Sequence, residues 1–345
     1  MTGATVQPTP AELAGVARVM AAAGAEPADV LTSSLLSGGR SNLTYVLTDG
    51  RTRWVLRTPP RVGRTPSAHD VAREHRVTAA LACTAVPVAQ AVLLHEDETL
   101  LSVPFTVSRF VEGRSYRTRS DLSALGDDGL AAVVDHIVAS LAALHRVDHV
   151  AVGLGTFGRP DNYAARQLRR WRGQWEIVGS AEPAAIASEI VQALEHNLPE
   201  QRRTSIVHGD YRIDNTLVTG GGEHARVAAI VDWELSTIGD PVADVAMMCA
   251  YRDPAFDPIV GVPSAWTSSR LPGPAELAER YVAASGHDLE HWDFHRALAY
   301  FKVAVIAAGI DHRRRAGAGV GTGFDTAAES VPRFLELAHQ ITTRF

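Results

Sequence analysis

Ile206-Val-His-Gly-Asp-Tyr-Arg-Ile-Asp-Asn-Thr-Leu-Val218 and, a short way on, Ile230-Val-Asp-Trp-Glu234 decide how this chain is read. Each piece opens on or follows an apolar run and then delivers an acid: Asp210 in the first, Asp232 in the second, with Asn215 five residues after Asp210. Phosphoryl transfer from a nucleotide needs one carboxylate to take or orient a hydroxyl proton. It also needs an amide and a second carboxylate to hold Mg²⁺ on the phosphates. The pattern therefore predicts Asp210 as the catalytic base, and Asn215 and Asp232 as metal ligands. Mg²⁺ prefers oxygen donors completed by water and phosphate, and a neutral amide oxygen adds no charge beside the base. Asp214 competes with its neighbours on position alone. Glu234 either assists through water or is a solvated acid.

Working outward, Asp240-Pro241 reads as a helix cap followed by proline at the first helical position, with Asp244 one turn later. Both acids are expected to brace the loop that carries Asp210. His208 is expected to pack and anchor that loop. Upstream, Gly38-Gly39-Arg40-Ser41-Asn42 separates two strand-like runs. Its glycines would let backbone N–H groups approach a phosphate, and Ser41 and Asn42 add donors, although hairpin loops are glycine-rich for conformational reasons too. Arg57 closes the next strand-like run as a permanent cation for phosphate, and Glu74 is its expected ion-pair partner. His312-Arg313-Arg314-Arg315 ends a helix, where cations suit the dipole; an anionic group docking there is the weaker reading.

Composition narrows the setting. The chain has 345 residues, enough for two modest domains, with 46% hydrophobic and 21% charged residues. A net charge of −6 argues against nucleic-acid and anionic-membrane partners. Cys83 and Cys249 form neither a disulfide framework nor a metal-ligand spacing, and apolar flanks suggest buried free thiols. No apolar run reaches the ~20 residues of a membrane span, and residues 1–10 lack a signal peptide's regions. A cytoplasmic setting is expected. Lys302 is the sole lysine, so any other cation near a phosphate must be arginine.

Periodicity predicts a helix over 10–23, opened by Thr9-Pro10-Ala11-Glu12, then strands over 30–36, 43–48 and 54–57 with a turn at Asp49-Gly50. A helix over 67–81 and strands over 92–94 and 103–111 complete a small antiparallel sheet with a helix on it. Beyond Gly113 the pattern turns helical: 130–145, 163–177, 183–195, 242–251, 274–284, 291–315 and 324–342. The division expected is residues 1–111 as a nucleotide-binding lobe and residues 112–345 as a mainly helical lobe with the catalytic loop and substrate helices.

These residues resemble the aminoglycoside phosphotransferase/choline kinase superfamily. His208-Gly209-Asp210…Asn215 looks like its H-G-D-x-x-x-x-N catalytic loop, and Asp232-Trp233-Glu234 like its metal-binding D-x-[EG] segment. The likeness extends to Gly39-x-Ser41-Asn42, Val55-Leu56-Arg57, Ala72-Arg73-Glu74 and Gly239-Asp240-Pro241, and covers residues 15–340. It is nearest the branch that also occurs as a kinase-like domain fused to acyl-CoA dehydrogenases, in which arginine commonly replaces the strand lysine. The resemblance implies an α+β, bilobal protein-kinase-like fold with a small antiparallel-sheet N-lobe and a larger, mainly helical C-lobe. It further implies ATP or GTP with Mg²⁺, the adenine lying against residues 108–111, and Gly39, Ser41, Asn42, Arg57 and Glu74 serving the nucleotide. The implied acceptor is a small hydroxylated metabolite, with an acyl-CoA or other anionic compound among the candidates. The alternatives are a non-catalytic nucleotide-binding module and an aminoglycoside 3'-type phosphotransferase.

Overall fold

The computed structural model describes residues 7–38, 42–61, 70–180, 183–317 and 321–345. The chain divides into two compact units, Met1–Glu112 with Ala228–Ser236, and Gly113–Val227 with Thr237–Phe345. The nine residues carrying Asp232 thus group with the N-terminal unit, a membership that position along the chain does not reveal.

In the first unit, helix α1 (Pro10–Ala22) starts on a capping box. Glu12 accepts from the Thr9 amide at 2.7 Å and Thr9 Oγ1 from the Glu12 amide at 3.3 Å, so two otherwise orphaned donors are satisfied. Strands β1 (Thr32–Gly38), β2 (Leu43–Thr48), β3 (Arg53–Thr58), β4 (Ala91–His95) and β5 (Phe105–Arg109) form an antiparallel sheet in the order β1-β2-β3-β5-β4. Helix α2 (Val71–Leu81) lies in sequence between β3 and β4. Alternation along β3 buries Trp54 and Leu56 on one face, where they join Tyr45, Phe105 and the α1 residues Leu13, Val16 and Met20. A period of two must then put Arg57 on the opposite face. The β2–β3 turn is fixed by Asp49, whose carboxylate accepts from the Ala28, Arg51 and Thr52 amides at 2.8, 2.9 and 2.6 Å.

In the second unit, α3 (Asp127–Arg146), α4 (Tyr163–Val178) and α5 (Ala184–His196) precede strand β6 (Ser205–Val207). Strand β7 (Thr216–Thr219) follows, β8 (Arg226–Ile230) ends inside the stretch Ala228–Ser236 that belongs to the first unit, and β9 (Thr237–Gly239) pairs antiparallel with β6. Helices α6 (Pro241–Ala250), α7 (Asp257–Val260), α8 (Pro274–Ser285), α9 (Trp292–Arg315) and α10 (Val331–Thr342) complete it. Helix α9 is the central core helix, with Phe301, Ala304 and Ala307 fully buried.

Three expectations are corrected. The last helix begins at Val331 rather than Phe324; turns and a short 3₁₀ segment, Ala327–Ser330, precede it. Helix α3 does meet a membrane span's length and apolar content, but Leu130, Val133, Ile137, Leu141 and Leu144 are buried within the protein, as in a core helix. Cys83 is exposed; only Cys249 is buried, with its thiol pushed up to about 12 by burial. Since the thiolate is the nucleophile, a native-state maleimide reaction is expected to label Cys83 alone, and both cysteines after unfolding. Mass spectrometry of the labelled peptides checks this; native labelling of Cys249 would contradict it.

Candidate active site

Asp210 sits in a loop that is fixed from behind. Gly209, between β6 and Asp210, takes φ +84°, a conformation glycine adopts without a Cβ penalty. Asp244, in the first turn of α6, accepts the His208 amide at 2.5 Å and the Gly209 amide at 2.7 Å. His145 Nε2 lies 3.3 Å from the same carboxylate, and His145 Nδ1 is 2.7 Å from the Tyr281 hydroxyl. Against the cost of its burial, the contacts with His145, the nearby His208 and the Gly209 N–H hold Asp244 below the usual carboxylate range. Asp240 caps α6 by accepting from the Val242 amide at 2.9 Å. The bracing expected of both acids is thus visible as hydrogen bonds. His208 is fully buried, and its Nδ1 accepts from the Asp210 amide at 3.3 Å.

Beyond Asp210 the loop alternates between anchors and site groups. Tyr211 and Ile213 are fully buried, and the Tyr211 hydroxyl donates to the Ile137 carbonyl of α3 at 2.8 Å. Asn215 Nδ2 donates to the Asp210 carbonyl at 2.7 Å and to Asp210 Oδ2 at 2.9 Å. Its amide nitrogen thereby orients the carboxylate and its carbonyl oxygen remains as an acceptor. Arg212 escaped the sequence reading. Its guanidinium lies 5.3 Å over Tyr251 and 5.0 Å over Phe256, and reaches Asp210 Oδ2 at 3.3 Å and Asp214 Oδ1 at 3.3 Å. Asp214, pushed up by burial, is engaged with Arg212. The arginine's spacing of two from each acid was the available signal; the aromatic clamp was not.

The first unit gathers the other group. Arg57 Nε lies 2.7 Å from Glu74 Oε2, and Arg57 Nη2 3.1 Å from Glu74 Oε1. The same Nη2 reaches Asp232 Oδ1 at 3.1 Å, and buried Asn42 donates through Nδ2 to Glu74 Oε1 at 3.1 Å. Burial first, then the proximity of Asp232 and Glu234, push Glu74 up to about 7 despite its arginine partner. The same three acids lift Arg57 above its ordinary value against the desolvation it suffers. Asp232 is held in the left-handed region, φ 65° and ψ 57°, a conformation that costs non-glycine residues energy although aspartate tolerates it better than most. Its neighbours enforce it: the buried Trp233 donates to the Ile230 carbonyl at 3.0 Å, the Ile230 amide donates to Pro87 at 2.8 Å, and Arg73 donates to the Ser236 carbonyl at 2.9 Å.

Asn42, Arg57, Glu74 and Asp232 therefore come together in the first unit, and Asp210 with Asn215 in the second. Gly39 and Ser41 lie outside the described residues. The cations ending α9 are engaged locally, with Arg314 and Arg315 each 2.8 Å from Asp311. Glu74, Asp232 and Glu234 offer carboxylate oxygens within 4.8 Å of one another, an all-oxygen donor set of the kind a hard divalent cation takes. These three carboxylates fit Mg²⁺ in chemistry.

Residues 32–298 match the phosphotransferase enzyme family. The chain is 34% identical over 310 residues to acyl-CoA dehydrogenase family member 10 of Mus musculus, covering 89% of this chain and 29% of that protein. It is 31% identical to acyl-CoA dehydrogenase family member 11 of Homo sapiens, covering 93% and 41%. The chain thus spans less than half the length of either relative. Among solved structures, a protein of Ralstonia eutropha JMP134 described as a candidate aminoglycoside phosphotransferase superposes with a TM-score of 0.78 at 31% identity, over 92% of this chain and 94% of that one. Aminoglycoside phosphotransferase APH(4)-Ia, solved with AMP-PNP and hygromycin B, shares the fold at a TM-score of 0.61 and 16% identity, over 94% and 97%.

Proposed function

Since the chain belongs to the phosphotransferase enzyme family, we propose that it transfers the γ-phosphoryl group of ATP or GTP to a hydroxyl of a small metabolite in a Mg²⁺-dependent reaction. The observation that carries this reading is the oriented carboxylate of Asp210. It is held by Asn215 at 2.9 Å on a loop that Asp244 fixes from behind.

Each group has a task. Asp210 orients the acceptor hydroxyl and takes its proton as the oxygen attacks phosphorus; Asn215 and Arg212 fix the angle at which it does so. Arg57, aimed by Glu74, neutralises phosphate charge on the nucleotide, and Asn42 holds Glu74 in turn. Asp232 and Asn215 would hold Mg²⁺, with Glu234 supporting from beside Asp232. When bound, the ion neutralises charge on the transferring phosphoryl group. Gly39 and Ser41 are proposed to contact the phosphates. A reducing cytoplasm is the proposed setting.

The acceptor panel should contain sugars, choline, homoserine, hydroxyacyl-CoA thioesters and aminoglycosides. The names of the relatives support the last two classes, and the resemblance to the aminoglycoside phosphotransferase/choline kinase superfamily suggests the others. Product ADP or GDP is expected to form with one class, to disappear on EDTA treatment and to return with added Mg²⁺. The absence of both turnover and a nucleotide-induced rise in Tm across the panel would overturn the proposal.

A further inference from the structure

Helix α9 is buried along most of its length, yet it carries the chain's sole lysine. Lys302 itself is half-buried, and an ammonium so placed is costly to desolvate unless it is partnered, so what it touches is informative. Lys302 Nζ donates to the Gly209 carbonyl at 3.3 Å and lies 5.5 Å over the ring of Trp171, on α4. Gly209 is the residue before Asp210, and its N–H is already taken by Asp244 at 2.7 Å. The backbone leading into Asp210 is therefore gripped at both polarities, its N–H by an acid from α6 and its C=O by an amine from α9. A glycine at φ +84° has no side chain to restrain it, so these two grips replace the steric restraint that a Cβ would give.

We infer that Lys302 is a positioning residue for Asp210: by holding the Gly209 carbonyl it fixes the peptide plane from which the carboxylate projects. This rests on Asp210 being the base of the reaction above. The electrostatics agree. Burial lowers the Lys302 pKa, Asp210 and Asp244 oppose that, and Arg170 on α4 adds to it. An arginine is not equivalent here, since its guanidinium spreads five donors in a rigid fork whereas an ammonium brings a compact point charge to one carbonyl. That gives a physical reason for a lysine here in a chain that otherwise uses arginine.

Two measurements test it. In Lys302→Met, which keeps an unbranched apolar stem, kcat is expected to fall about 10–100-fold, as for a misplacement of the base by an ångström or less. The KM for ATP and the Tm are expected to stay close to the parent, and Lys302→Arg to recover part of kcat. A Met variant whose kcat is within roughly twofold of the parent would overturn the inference. The second measurement needs no turnover, so it stands apart from the phosphotransfer reading. Protein grown on ¹³C-lysine gives one Cε resonance, from Lys302. Its titration midpoint is expected to lie below that of a free lysine and to drop further in Asp210→Asn, as loss of a nearby negative charge requires. A midpoint equal to free lysine and unmoved in Asp210→Asn would equally overturn it.

Discussion

Asp210→Asn is expected to lower kcat by about 10³-fold or more while leaving the protein folded and able to bind nucleotide. The substitution is isosteric. The Asn215 amide donates 2.9 Å to Asp210 Oδ2, and an asparagine oxygen accepts that bond equally well. What is lost is the proton acceptor, together with an ion pair to Arg212 at 3.3 Å. Both partners of that pair are mostly buried, at 14% and 18% side-chain exposure, but Arg212 keeps Asp214 and its two aromatic neighbours. The stability cost is therefore about 1 kcal/mol. Steady-state turnover on the acceptor found by the panel, with Tm and nucleotide Kd alongside, separates lost chemistry from lost structure. A variant retaining more than about a tenth of the parent's kcat would remove Asp210 from the role of base.

Asp244→Ala is expected to act on the fold instead. The wild-type carboxylate is 2% exposed and serves the His208 amide, the Gly209 amide and His145. Removing it strands buried donors, at a cost of about 3–5 kcal/mol. Thermal unfolding is expected on the order of 10 °C lower. Turnover falls too, because the loop before Asp210 loses its grip. The dependence on pH follows from a pKa held below the ordinary value of 3.8. A depressed carboxylate contributes its stability in full above that value and loses it as pH falls through the lower, folded-state value. The gap in stability between parent and variant should hold from neutrality down to about pH 4 and close only in stronger acid. Chemical denaturation at neutral pH and near pH 3 checks both the size and the sign. A gap under about 1 kcal/mol at neutral pH would mean that Asp244 is not what holds the loop.

Local rules made much of this molecule legible. Thr9-Pro10-Ala11-Glu12 announced α1 because a capping box closes within four residues, and Asp240-Pro241 announced α6 because an aspartate cap and a proline at the first helical position are equally local. The alternation of Trp54, Leu56 and Arg57 implied that the arginine leaves the sheet on the face away from the core, where Glu74 meets it. Flanking residues misled at two places. Apolar flanks suggested a buried Cys83, yet it is exposed at the end of α2. Phe324 looked like a helix start, but the chain makes turns and a 3₁₀ segment before Val331.

The sequence by itself determined the elements, the spacing of Asp210, Asn215 and Asp232, and the α+β class, because propensity, periodicity and capping act within a few residues of each position. Tertiary structure alone decided that residues 228–236 join the N-terminal unit, bringing Asp232 to 3.1 Å from Arg57. It also decided that Tyr251 and Phe256 clamp Arg212, and that Lys302 reaches a carbonyl 93 residues earlier in the chain. Such contacts depend on how whole helices and strands pack, and packing sums over many weak contacts that no short window of sequence contains.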